Sequence, residues 1–211
     1  MKIFRNRQAA GQLLARRLKN IHADLVLSIP RGGVVVAAEV ARILKLPLDI
    51  IITRKIGAPN QPELALGAID PDGETVWEKK LLSDLRLKID DLREEIQAEW
   101  EELKRREDLY RRGKKSLELK NKIVILVDDG IATGSTILAA INFLKRHKAK
   151  KIVLAVPVAS REAAERLTRE VDEAVILETP DFFQAVGQFY QIFLPVLDKE
   201  VIELLQLDMR M

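Results

Sequence analysis

Short apolar runs alternate along most of the chain with segments whose apolar positions recur every three or four residues. The runs Leu25–Ile29, Leu48–Thr53, Lys122–Val127, Ile152–Val158 and Ala174–Leu177 lack in-and-out alternation. That pattern predicts strands buried on both faces, as in a parallel sheet. Helical spacing predicts helices near Arg7–Lys19, Val34–Leu44, Ser135–His147 and Arg161–Arg169. A loop with Gly57, Pro59 and Pro62 leads to shorter β-like pieces, Leu64–Ile69 and Glu74–Trp77. The alternation of strand and helix predicts a three-layer α/β domain with a central parallel sheet.

One stretch breaks the pattern. Between Glu78 and Lys120, 25 of 43 residues are charged, 13 basic and 12 acidic, whereas the rest of the chain carries an ordinary share. Leu85, Ile89, Leu92, Ile96, Trp100 and Leu103 form one apolar stripe at helical spacing. Acidic residues precede basic ones by four at Glu101/Arg105, Glu102/Arg106, Glu107/Arg111 and Asp108/Arg112, the favourable order on an exposed helix. The expectation is a long solvated helix over Asp84–Arg112, stopped near Gly113 and inserted at about residues 78–113. Its stripe has to cover either the domain's flank or another subunit, which leaves a homodimer open.

Composition narrows the class. The 211 residues are 47% hydrophobic, enough for a packed core and too apolar for a largely disordered chain. With no Cys, neither a disulfide scaffold nor a Cys-based zinc site can form. The net charge is only +3 from 35 basic and 32 acidic side chains, a mild excess that does not by itself imply nucleic acid, and the balance of charge along the long helix argues against a phosphate-tracking surface. No apolar run is long enough to span a membrane, and Met1–Asn6 has no signal-like stretch. The expectation is a soluble cytoplasmic protein.

The segment richest in chemistry is Ile123–Thr136. A buried strand ends in Asp128 and Asp129, and the loop Gly130-Ile131-Ala132-Thr133-Gly134 opens a helix at Ser135-Thr136. Ligands of open α/β sheets bind just beyond the carboxyl ends of strands. Helix starts favour anions, and glycine lets a phosphate approach closely. Two carboxylates beside such a loop suit a ligand with a phosphate at one end and hydroxyls further along, such as a phosphorylated ribose. The alternative is an Asp-capped strand-to-helix turn without a ligand. A second strand runs into Arg31-Gly32-Gly33, a generic anion site, and a third into the cations Arg54-Lys55, which would otherwise be solvated surface.

Val127-Asp128-Asp129-Gly130-Ile131-Ala132-Thr133-Gly134-Ser135-Thr136 resembles the phosphoribosyl-diphosphate binding signature of the type I phosphoribosyltransferases, and the resemblance covers most of the chain outside the charged helix. It implies a single Rossmann-like domain over residues 1–211 with a C-terminal hood at about residues 178–193. It implies that Asp128 and Asp129 hold the ribose 2- and 3-hydroxyls and contribute to a Mg2+ site. Residues 132–136 would bind the 5-phosphate. Leu27–Gly33 is similar to the family's pyrophosphate loop, with Arg31 on the leaving group and, by the same resemblance, a cis peptide between Pro30 and Arg31. Arg54-Lys55 resembles the strand end before the mobile catalytic loop of adenine- and orotate-type members, so Ala58–Leu66 would be that loop.

The implied activity is transfer of the 5-phosphoribosyl group from phosphoribosyl diphosphate to a base with release of pyrophosphate. Arg31, Lys55, Asp128 and Asp129 are its candidate catalytic residues, and a nucleobase-like compound is its acceptor. The alternative is a regulatory protein that keeps the pocket as a sensor and binds RNA or a protein partner. Ala132 stands where 6-oxopurine members carry a third acid. The stretch Thr179–Tyr190 resembles a base-recognition hood in which Phe182 or Phe183 could stack on a base. It has no Lys before Pro180 and no acid after Gly187, where Gln188 and Tyr190 stand.

Overall fold

The structure is a computed structural model and describes residues 3–59, 61–111 and 117–208. The predicted stop at Gly113 and the Asp108/Arg112 pair lie outside the described residues. The chain divides into two compact units, Met1–Ile51 with Leu117–Gly134 and Leu144–Met211, and Ile52–Ser116 with Ser135–Phe143.

The first unit carries β1 (Leu25–Ser28), β2 (Leu48–Ile50), β6 (Ile123–Val127), β7 (Lys151–Val158) and β8 (Glu173–Glu178) in one parallel sheet, in the order β2-β1-β6-β7-β8. Their apolar side chains are almost wholly buried in β1, β6 and β7. That explains the missing alternation. Helices α1 (Arg7–Leu18), α2 (Gly32–Leu44), α6 (Arg161–Thr168) and α7 (Asp198–Asp208) flank the sheet. Asn6 caps α1 by accepting from the Ala9 amide at 2.9 Å. Lys45 ends α2 in the left-handed region. Helix α7 has no counterpart in the sequence reading.

The chain moves from β1 to β2 in one direction and from β6 through β7 to β8 in the other, so the order reverses between β1 and β6. Those two strands pair in parallel register, Leu25 opposite Val124 and Ser28 opposite Val127. This is the neighbour relation the two motif strands require, and the gap beyond it is where open α/β sheets bind ligands.

The second unit holds an antiparallel sheet, β3 (Arg54–Ala58), β4 (Gln61–Ile69) and β5 (Thr75–Trp77). Three readings change here. Arg54 and Lys55 open β3 rather than closing a strand that began at Leu48, because the parallel strand stops at Ile50. Most of Ala58–Leu66, expected as a loop, is hairpin, and two register shifts near Gly57 accommodate the bend. The long charged helix is three pieces: α3 (Lys79–Asp84), a 3-10 turn (Ile89–Leu92) and α4 (Arg93–Tyr110). Arg86 takes a positive φ of 56°, which ends α3, and the Lys88 amide then donates to Asp91 at 2.8 Å. As a result the stripe divides: Leu92 and Leu103 are buried, whereas Leu85 and Ile89 are exposed. Helix α5 (Ser135–Arg146) contributes residues to both units.

Candidate functional site

The loops after β1 and β6 meet at the reversal point. The Pro30–Arg31 peptide is cis, as the resemblance implies. Arg31 is the residue before α2, and Gly32 and Gly33 form its first turn. Neither glycine has room for a side chain. A Cβ on Gly32 would lie 2.0 Å from Asp129 Oδ2, and one on Gly33 would lie 2.7 Å from Asp128 Oδ1. The pyrophosphate-type loop and the acid pair are therefore in direct contact. The exposed Arg31 guanidinium reaches Asp198 Oδ1 of α7 at 3.5 Å.

The two acids have different surroundings. Asp128 Oδ1 accepts from the Asp129 amide at 2.8 Å. Asp129 Oδ2 accepts from Arg7 Nε at 2.7 Å, and the side chains of Arg7 and Asp129 are only 11% and 14% exposed. Burial pushes the Asp129 carboxyl above its ordinary pKa, and Arg7 offsets part of that rise. The Tyr190 hydroxyl donates to the Asp129 carbonyl at 2.5 Å. Burial, reinforced by the Asp129 charge, pushes the phenol pKa far up. Neither Arg7 nor Tyr190 was among the residues expected at the site. Arg7 lies 122 positions from its partner with no motif around it, so no local signal points to it.

The loop after Asp129 is fixed through its carbonyls. Ser160 donates its amide to the Ile131 carbonyl at 2.9 Å and its hydroxyl to the Ala132 carbonyl at 2.6 Å. Arg166 Nη2 donates to the Thr133 carbonyl at 2.5 Å. In a trans peptide the N–H points opposite to the carbonyl. The amides of Ala132, Thr133 and Gly134 are thus turned away from these partners. Gly134 sits at φ +84°, where a side chain would be strained. Gly130 packs against Val158 and Val186.

In the second unit Ser135 Oγ donates to Glu78 at 2.7 Å, so its hydroxyl is engaged with a carboxylate. Thr136 is half-buried in the first turn of α5. Arg54 Nε pairs with Glu99 of α4 at 2.6 Å. The charged segment therefore touches Arg54. Lys55 is exposed.

The hood segment folds onto the first unit. A 3-10 turn at Val186–Phe189 precedes Tyr190, and Phe4, Phe189 and Tyr190 are buried together with Phe183 and Phe193 packed against them. Of the two candidate stacking residues, Phe183 lies 5.1 Å from Phe189 in this cluster and Phe182 is 89% exposed.

No group of three or more His, Cys, Asp or Glu among the described residues could hold a metal ion. The acid pair supplies carboxylates to a hard cation only beside another oxygen source, which suits an ion carried on a diphosphate. None of the described helices is long and apolar enough to cross a membrane.

Residues 2–191 match the model of the phosphoribosyl transferase domain. A Mycobacterium tuberculosis protein, Rv0571c, provisionally named a phosphoribosyl transferase, is 43% identical over 97% of this chain. The match takes in 47% of that protein, so the chain spans about half the length of the curated relatives it matches. TT1426 from Thermus thermophilus is 43% identical, covers 97% of this chain and 98% of its own, and superposes with a TM-score of 0.79. A Neisseria gonorrhoeae protein crystallised with ppGpp shares the fold at 14% identity and a TM-score of 0.53, covering 98% and 97% of the two chains.

Proposed function

The chain belongs to the phosphoribosyl transferase domain family, and on that premise we propose that it binds phosphoribosyl diphosphate and transfers the 5-phosphoribosyl group to a nitrogen of a nucleobase-like acceptor. The observation that carries the reading is the contact of Gly32 with Asp129 across the β1–β6 reversal point. It brings the Arg31–Gly33 loop against the acid pair at the carboxyl ends of β1 and β6, which supports one ligand spanning both.

In this reading the amides of Ala132, Thr133 and Gly134 bind the 5-phosphate, with Gly130, Ile131, Ser135 and Thr136 shaping the loop. Asp128 and Asp129 accept from the ribose hydroxyls, and Arg31 binds the pyrophosphate beside Gly32 and Gly33. The C1–oxygen bond breaks, its electron pair leaves with pyrophosphate, the acceptor's lone pair forms the new C1–nitrogen bond, and the acceptor nitrogen gives up its proton to water. Arg31 and Lys55 stabilise charge on the leaving group, and Arg54, tied to Glu99, supports the strand that carries Lys55. Asp128 and Asp129 are the carboxylates that would hold Mg2+ together with the diphosphate, and the ion would supply further neutralisation of that charge.

A sensor that binds the same ligand without turning it over is the second reading. Ala132 stands where 6-oxopurine members carry a third acid, so the loop itself supplies no carboxylate to take the acceptor's proton. A screen of free bases with phosphoribosyl diphosphate and Mg2+, scored by pyrophosphate release, separates the two. Turnover with any base supports transfer, and binding without turnover supports the sensor. Absence of binding overturns both.

A further inference from the structure

Arg7 occupies the first turn of α1, where the exposed amides of a helix start make a cation unfavourable, and no acidic residue shares that turn. What holds it there is a set of partners drawn from distant parts of the chain. Nε donates to Asp129 Oδ2 at 2.7 Å and Nη1 donates to the Leu194 carbonyl at 2.8 Å. The guanidinium carbon lies 3.7 Å from the centre of the Phe193 ring. The missing side chain of Gly32 makes the room, since a Cβ there would come within 2.9 Å of Nε. The hood is attached to Asp129 a second time, through the Tyr190 hydroxyl on the Asp129 carbonyl.

A buried ion pair is by itself weak support for any role beyond packing. Here its neighbours are the three segments that the proposed reaction needs together: the pyrophosphate-type loop at Gly32, the ribose acid Asp129, and the end of the hood at Phe193-Leu194. Resting on that proposed reading, we propose that Arg7 is a positioning residue that couples the hood to the ribose acid. With Oδ2 held by Arg7, the position of the Asp129 carboxylate is tied to that of the guanidinium. A ligand that orders Asp129 thereby orders Arg7, and Arg7 orders the Leu194 carbonyl and the Phe193 ring. The coupling is reciprocal, so an ordered hood tightens the sugar diphosphate by the same factor.

The test compares wild type, Arg7→Met and Arg7→Lys, using phosphoribosyl diphosphate with Mg2+ as the probe. Calorimetry gives its Kd, and hydrogen exchange follows residues 186–197 with β6 and β7 as internal reference. In wild type the probe is expected to slow exchange in the hood. Arg7→Met is expected to weaken the probe by about tenfold and to leave hood exchange indifferent to it, with the hood losing more protection than the global loss that β6 and β7 record. Lysine can pair with Asp129 but lacks the fork that also reaches Leu194, so Arg7→Lys should recover only the part of the affinity that the ion pair supplies, and not hood protection. A hood that still responds fully to the probe in Arg7→Met overturns the coupling, as does an equal loss of protection throughout the sheet. If wild type fails to bind the probe, the proposed function falls. The free proteins then still decide the role of Arg7, because unchanged hood exchange in Arg7→Met overturns it.

Discussion

Replacing Gly32 by alanine puts one carbon where the site has no space. Its ideal position is 2.0 Å from Asp129 Oδ2, 2.8 Å from Asp129 Cγ and 2.9 Å from Arg7 Nε. Carbon and oxygen rest near ~3.5 Å, so the carboxylate has to retreat by more than ~1 Å. The ion pair it forms with Arg7 is 2.7 Å long, and a retreat of that size breaks it. Leaving a buried charge unpaired costs about 3–5 kcal/mol. Alanine's stiffer unfolded chain returns about 0.4–1 kcal/mol. The expected net loss is about 2–4 kcal/mol in urea unfolding, accompanied by weaker binding of phosphoribosyl diphosphate. A double-mutant cycle with Arg7→Met isolates the cause: with the pair already gone, Gly32→Ala should cost less than about 1 kcal/mol more. A Gly32→Ala protein within about 0.5 kcal/mol of wild type, or one whose loss adds fully to that of Arg7→Met, would refute the reasoning.

Asp128→Asn keeps the oxygen that accepts from the Asp129 amide, so unfolding should move by less than about 0.5 kcal/mol. Phosphoribosyl diphosphate affinity should fall by about 1.5–3 kcal/mol, measured by calorimetry. Glu102 is lowered to about 2 by hydrogen bonds from Arg105 and then Arg106. Its stabilisation is thus present above the ordinary carboxylate range and drains as pH falls from 4.5 toward 2. Screening holds it to about 1 kcal/mol, and Glu102→Gln should remove that part of the acid slope in pH-dependent unfolding. Tyr190 carries a raised pKa, so its contribution is intact below the ordinary phenol value and lost only as pH climbs beyond it. In a Tyr110→Phe background the phenolate absorbance should emerge with unfolding, and reversible ionisation near pH 10 in the folded protein would contradict the buried hydrogen bond.

Much of this fold was legible because its signals are local. Leu25–Ser28, Ile123–Val127 and Lys151–Val158 are apolar on both faces, and that is sufficient to predict parallel strands. The loops Arg31–Gly33 and Asp128–Thr136 carry their turn and anion chemistry within a few consecutive residues. Where the reading failed, the deciding interaction was tertiary. Arg54 and Lys55 look like the tail of an apolar run, yet pairing with Ile69 and Ala68 makes them the start of another strand. The charged stripe has unbroken helical spacing, but the left-handed Arg86 and the Asp91 bond to Lys88 divide it. Helix spacing records which faces are apolar, and it is blind to one residue whose backbone leaves the helical region.

The acid pair shows the same limit at the scale of a single side chain. In the sequence Asp128 and Asp129 are indistinguishable neighbours, and any signature treats them as a unit. The fold gives them different environments. Asp128 accepts from the next amide. Asp129 is desolvated, and its charge is compensated by an arginine 122 positions away. Burial raises the Asp129 carboxyl and the Arg7 guanidinium opposes that rise, so whatever fixes Arg7 also bears on the electrostatics of the acid pair. Arg7 is itself fixed by the Leu194 carbonyl and the Phe193 ring. The end of the hood is in this way connected to the electrostatics of the acid pair.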